Sequence, residues 1–115
     1  MLPVELSCQQ QADKVELELK VEADLFWFRG HFPTQPILPG VAQLDWVMHY
    51  GLSLLAPGKQ FSAIENIKFQ QPILPGKTLK LTLSWQEAKN WLLFDYQILG
   101  DEQPQRASSG KISLC

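Results

Sequence analysis

Residues 15–22 alternate without a break, with Val15, Leu17, Leu19 and Val21 on one side and Glu16, Glu18, Lys20 and Glu22 on the other. A period of two predicts a strand with one buried and one wet face. Residues 79–85 repeat the pattern, with Leu79, Leu81, Leu83 and Trp85 against Lys80, Thr82 and Ser84. Residues 91–99 put Leu92, Phe94, Tyr96 and Ile98 on one face, and residues 87–90 form the hairpin turn between these two strands. Weaker patterns predict strands at 4–8, at 61–70 with imperfect alternation, and at 108–114 after a polar loop at 101–105. The first of these pairs with 15–22 through a hairpin at 10–13.

Between the second and third strands the period changes. Val41, Leu44, Met48, Leu52 and Leu55 recur at three- and four-residue spacing, which predicts a helix from Gly40 to about Leu55. Ala56, Pro57 and Gly58 end it. Trp46 and Val47 widen the stripe, so the helix is expected to be largely buried. The order is two strands, one long central helix, then four strands. In a chain of this size, such a set buries its apolar faces only if the sheet curls around the helix, an α+β architecture within a single domain spanning 1–115. A free sheet edge would invite pairing with a second copy. Residues 35–40 and 71–76 spell the same Gln-Pro-Ile-Leu-Pro-Gly, too short for a duplicated domain and read as two similar turns.

Composition narrows the function classes. With 45% apolar and 19% charged residues in 115, the chain is ordinary globular protein. A formal charge of -2 excludes a general nucleic-acid binder. No run approaches the ~20 apolar residues of a membrane span. The first residues carry neither the basic nor the apolar region of a signal peptide, so a cytoplasmic setting is expected. Cys8 and Cys115 lie near opposite ends and outside any CxxC spacing, and are expected to be reduced spectators. Two histidines are too few for a zinc site.

The chemistry concentrates in residues 28–45. His31 and Asp45 stand on either side of a loop stiffened by Pro33, Pro36 and Pro39, each of which fixes its own φ and biases the residue before it toward extended backbone. Pro39 and Gly40 then open the helix, leaving the Gly40 N–H at a helix N-terminus with no side chain in the way. A base, an acid and a carbonyl-polarising dipole are the parts needed for proton chemistry beside a thioester.

Gly30-His31-Phe32-Pro33, then Pro36 to Pro39-Gly40, then Asp45 on the helix, resembles the signature of the hot-dog-fold 3-hydroxyacyl-(acyl-carrier-protein) dehydratases, the FabA and FabZ group. Aspartate at the acidic position is similar to the FabA branch. Residues 25–29 and 44–46 resemble more closely still the ApeI-like dehydratases of aryl polyene pigment synthesis. Thr34 and Gln35 depart from the small and polar residues usual between the two prolines, a change that bears on acyl-chain preference. The resemblance implies dehydration of a (3R)-3-hydroxyacyl thioester to the trans-2-enoyl product. In that reading His31 takes the C2 proton and Asp45 protonates the departing C3 hydroxyl. The Gly40 N–H polarises the carbonyl, with Val41, Phe32 and Pro39 as substrate-binding neighbours. It implies no metal and no organic cofactor, since the phosphopantetheine arrives with the acyl carrier protein. It also implies a homodimer, with a heterodimer as the variant, whose two sites each draw His31 and Asp45 from different subunits.

A neutral histidine suits proton transfer near neutral pH, and a carboxyl beside Val41 and Leu44 is expected to keep a proton it can donate. His49, one turn after Asp45, is spaced to pair with it, with an ordinary satisfied helix histidine the plainer reading. Arg29, Lys68 and Lys77 are candidates to meet an acidic carrier, with ordinary solvated charges the plainer reading of both lysines. Trp27, Trp46 and Phe32 suit either a flat acyl pocket or core packing. Gln43 reaches Asp45 only in one helix register. The rival functions are a hot-dog thioesterase, in which the carboxylate activates water, and a non-catalytic partner that binds acyl carriers or completes another subunit's site.

Overall fold

The computed structural model describes residues 2–23, 36–100 and 102–115. Six strands and one helix follow in the expected order: β1 (Val4–Gln11), β2 (Lys14–Lys20), α1 (Gly40–Leu54), β3 (Phe61–Phe69), β4 (Thr78–Gln86), β5 (Trp91–Ile98) and β6 (Gln105–Leu114). The strands form one sheet in the order β1-β2-β4-β5-β6-β3, with every pairing antiparallel.

The alternating segments are the middle of this sheet. Val15, Leu17 and Leu19 of β2 lie opposite Leu83, Leu81 and Leu79 of β4, and all six are fully buried. Each such side chain stabilises the fold by about 1.5–3 kcal/mol relative to leaving it exposed. Two of the three weakly patterned segments, β1 and β3, are the edges. β1 is exposed along its whole length, and β3 nearly so. Two register shifts in β3, between Phe61 and Ala63 and between Ile64 and Asn66, account for its broken alternation.

Three boundaries differ from the sequence reading. Gln10 and Gln11 belong to β1, so the first hairpin turns on Ala12 and Asp13 alone, with Ala12 at φ 50. Strand β2 stops at Lys20, although Val21 remains fully buried and holds Lys77 and Gly76 through backbone bonds. Strand β6 begins at Gln105, which pairs with Ile98 after a shift at Tyr96 and Gln97. Arg106 is fixed there by a 2.9 Å ion pair to Asp95.

Helix α1 crosses the sheet nearly from edge to edge. At its N-terminal end Gly40 lies against Phe69 of β3; Gln43 bonds Tyr96 of β5 and Ser108 of β6. At its C-terminal end Gly51 meets Leu92 of β5, and the Leu54 carbonyl accepts 2.6 Å from Gln10 Nε2 of β1. At fifteen residues the helix is of modest rather than great length. Its sheet-facing side is Ala42, Gln43, Trp46, Val47, Tyr50 and Gly51. Of the expected stripe, Val41 is 66% exposed, whereas Leu44, Met48, Leu52 and Leu55 are partly buried against the edge of the core, which Trp46 and Val47 enter fully. The two look-alike turns meet each other: the Leu38 N–H donates to the Ile73 carbonyl at 2.8 Å, and both side chains are buried.

Candidate active site

The start of α1 carries the candidate chemistry. Pro39 is its N-cap in extended conformation (φ -63, ψ 152), and its carbonyl accepts from the N–H of both Ala42 and Gln43. No side chain caps this end, and the N–H groups of Gly40 and Val41 have no acceptor among the described residues. Those free donors and the helix dipole make it a place where negative charge is stabilised. A cavity of about 330 Å³ opens beside it, walled by Ile37, Leu38, Pro39, Gly40, Phe69 and Pro72, with Gln43, Gln70 and Gln71 supplying the polar rim. A carbonyl entering from that apolar space meets the helix end directly. A Cβ at position 40 would lie 2.8 Å from the tip of the Phe69 ring and would push that ring from its place in the cavity wall.

His31 and Phe32 fall outside the described residues. Of the other candidates, Pro39 and Gly40 line the cavity, whereas Val41 and Asp45 do not. Asp45 is exposed on the helix side that faces away from the sheet, one turn beyond Val41. It borders a separate open groove with Met48, His49, Leu52, Ser53, Pro57 and Gly58. The apolar surroundings expected around this carboxyl are therefore not provided by the described residues of its own chain. His49 makes no ion pair with Asp45; its ring stands edge-on to Tyr50 at 5.0 Å. Trp46 is fully buried toward the sheet rather than lining a surface pocket. Lys68 and Lys77 are exposed, on β3 and just before β4.

Gln43 does not approach Asp45. It points the opposite way, 3% exposed, and with Ser108 it is one of two buried polar residues among those described. The Tyr96 hydroxyl donates to the Gln43 backbone carbonyl at 2.7 Å, and the Ser108 hydroxyl donates to Gln43 Oε1 at 2.6 Å. Burial, reinforced by Tyr50 and Asp45, pushes the Tyr96 hydroxyl well above its ordinary value, so it remains a donor. The available sequence signal was a lone amide at helical spacing from Gly40 amid apolar neighbours. Among the described residues no group of three His, Cys, Asp or Glu side chains is placed to hold a metal. No described helix is long and apolar enough to cross a membrane. Cys8 on β1 and Cys115 just past the end of β6 are exposed and unbridged.

Comparisons with known proteins converge. A family model described as ApeI-like, ApeI dehydratase, matches residues 7–111. A 3-hydroxyacyl-[acyl-carrier-protein] dehydratase FabZ of Fusobacterium nucleatum is 37% identical over 79 residues, covering 64% of this chain and 56% of that protein. The FabZ of Clostridium novyi is 37% identical over 65 residues, covering 50% and 46%. The chain thus spans about half the length of the curated relatives it matches. Among solved structures, an uncharacterized protein from Erwinia carotovora is 58% identical with a TM-score of 0.92, covering 100% of this chain and 97% of that one. The dehydratase heterocomplex ApeI:P from Xenorhabdus doucetiae gives 51% identity and a TM-score of 0.93, covering 100% and 99%. The dehydratase domain of the CurK module of curacin polyketide synthase, 18% identical with a TM-score of 0.73, covering 98% and 42%, shares the fold.

Proposed function

The chain belongs to the ApeI-like dehydratase family, and on that basis we propose that it converts a (3R)-3-hydroxyacyl thioester on acyl carrier protein to the trans-2-enoyl thioester. Aryl polyene or a related fatty-acid or polyketide-type synthesis is the setting, and the cytoplasm the compartment. The observation that carries the reading is the N-terminus of α1, uncapped among the described residues, with Gly40 lining an apolar cavity.

In the proposed reaction His31 removes the C2 proton as charge builds on the thioester oxygen, which the Gly40 N–H receives. The C2 electrons form the new double bond as the C3–O bond breaks. Protonated Asp45 gives its proton to the departing hydroxyl, which leaves as water. Proton exchange with solvent resets both groups. No metal or organic cofactor enters, because the phosphopantetheine comes with the carrier. Pro39, Val41 and Phe32 are the proposed substrate-contacting neighbours.

Asp45 faces away from the cavity at Gly40, which supports a site completed across a subunit interface. The same helix side exposes Val41 and part of Leu44, Met48 and Leu52, and the edge strand β3 exposes Phe61, Ile64 and Phe69. A second copy of the chain covering this side would bring its own Asp45 to the His31 and Gly40 of the first. The relative from Xenorhabdus doucetiae forms a heterocomplex, so a different hot-dog subunit is the alternative partner.

The test is turnover of a 3-hydroxyacyl-carrier substrate, followed by mass spectrometry as loss of one water. His31→Ala and Asp45→Asn should each lower the rate at least ~100-fold. Mixing the two inactive variants should restore up to about a quarter of wild-type activity, because half the re-formed dimers carry one intact site in two. Variants that dimerise and exchange yet recover nothing would refute the shared site. A folded wild-type protein that turns over neither aliphatic nor aryl substrates would refute the reaction.

A further inference from the structure

A glutamine on the sheet-facing side of a helix calls for a physical account. Leucine or methionine would fill the same space without desolvating an amide, and an unmatched buried polar group is destabilising. The structure answers half of the question. Ser108 satisfies Gln43 Oε1, and Tyr96 satisfies the backbone carbonyl. The Nε2 donors have no acceptor among the described residues. Gln43 itself is a wall of the cavity it shares with Gly40.

Direction supports this. Long helical side chains lean toward the helix N-terminus and over the preceding turn. Gln43 lies three residues after Gly40, so its amide is carried back toward the free N–H of that residue. Ser108, fully buried on β6, holds the Oε1 side of the amide and leaves the NH2 side with no acceptor among the described residues. Two donors, one from backbone and one from a fixed side chain, therefore converge on a space with apolar walls. A carbonyl oxygen has two lone pairs to offer them.

We propose that Gln43 Nε2 donates a second hydrogen bond to the substrate's thioester carbonyl, beside the Gly40 N–H, with Ser108 as the positioning residue that sets the amide. This assignment rests on the dehydratase reading for its catalytic consequence, but not for the contact itself. The amide adds a fixed dipole where negative charge develops, and no reorganisation is needed at that moment.

The experiment uses the full chain in its native assembly. Gln43→Met keeps length and apolar volume while removing both N–H groups. Its kcat should fall about 100-fold or more, the usual consequence of deleting one such donor, with KM nearly unchanged. Ser108→Ala should give a smaller loss in the wild-type background and none in the Gln43→Met background. A second readout needs no turnover: the infrared stretch of a carbonyl-labelled saturated acyl-pantetheine thioester bound to the protein. Its frequency should lie lower in wild type than in Gln43→Met, with Ser108→Ala between them. If Gln43→Met proves unstable, the Ser108→Ala shift decides the matter. An unchanged stretch in either variant, or a loss confined to KM, overturns the proposal. A wild type that polarises the bound carbonyl but never eliminates water would sink the dehydratase reading and leave the Gln43 contact standing.

Discussion

Replacing Gly51 by alanine sets two effects against each other on one helix. Alanine is favoured over glycine inside a helix by about 1 kcal/mol. At position 51, however, the new Cβ would sit 2.5 Å from one Leu92 methyl and 3.3 Å from the other. Leu92 is fully buried, in register with Ile112 on β6, so it has little room to withdraw. Overpacking of this kind costs about 1–3 kcal/mol, so the net change should be a loss of about 1 kcal/mol. For a domain of this size that lowers Tm by about 4 °C. Gly40→Ala is the internal control: its obstacle is the tip of Phe69, which is 56% exposed and free to swing. That variant should hold its stability while the displaced ring disturbs the cavity and the activity. The assay is thermal and urea unfolding at one fixed protein concentration, with Leu92→Val and the double variant completing a cycle. The clash predicts that Gly51→Ala costs less in the Leu92→Val background. A Gly51→Ala protein more stable than wild type, or strict additivity in the cycle, would refute the reasoning.

Three further outcomes are expected. Burial, aided by Glu5 and Cys8, raises the Tyr50 hydroxyl, and burial raises Tyr96 well above the ordinary value of 10.0. Stability should therefore be intact below pH ~10 and fall as pH rises toward the folded-state values, with phenolate absorbance appearing together with loss of the fold. Early ionisation of Tyr96 in a protein still folded would contradict its burial. Gly110→Ala would place a Cβ 2.5 Å from the Asn66 carbonyl oxygen and 2.8 Å from the Phe94 ring. It should cost about 1–3 kcal/mol and speed hydrogen exchange first in β3, and unchanged β3 protection would argue against the contact. Val41→Glu, at the most exposed apolar position of α1, should weaken subunit association in sedimentation while the melting of the dilute chain moves little. A variant that stays assembled would place the interface elsewhere.

The sequence made the strands legible because β2, β4 and β5 have one wet face, and a period of two then admits one assignment. It blurred at β3, where bulges shift the register, and at Ala12, an alanine in a left-handed turn that composition does not announce. The helix was visible but its orientation was not. Apolar side chains occur all around α1, so spacing alone could not decide which stripe meets the sheet. The inward side is marked by small Ala42 and Gly51, which permit close approach, and by Gln43, whose partners Tyr96 and Ser108 are more than fifty residues away. The same ambiguity affected the site. Asp45 was singled out by type and spacing, but its exposure in the single chain could not be read from its neighbours. For Gln43 the sequence offers only a reach toward Asp45 in one register, because an amide's role depends on what it faces.

The two apolar sides of α1 are built from separate residues, and this separates two kinds of selection. Changes at Ala42, Trp46, Val47, Tyr50 or Gly51 act on the chain's own packing. A change at exposed Val41 acts mainly on a partner lying across from it, while Leu44, Met48 and Leu52, half-buried against the core, answer to both sides. Such a chain can drift from pairing with itself to pairing with a diverged sister through substitutions that scarcely touch its own fold. A duplicated gene would then need few steps to split one symmetric assembly into an asymmetric one.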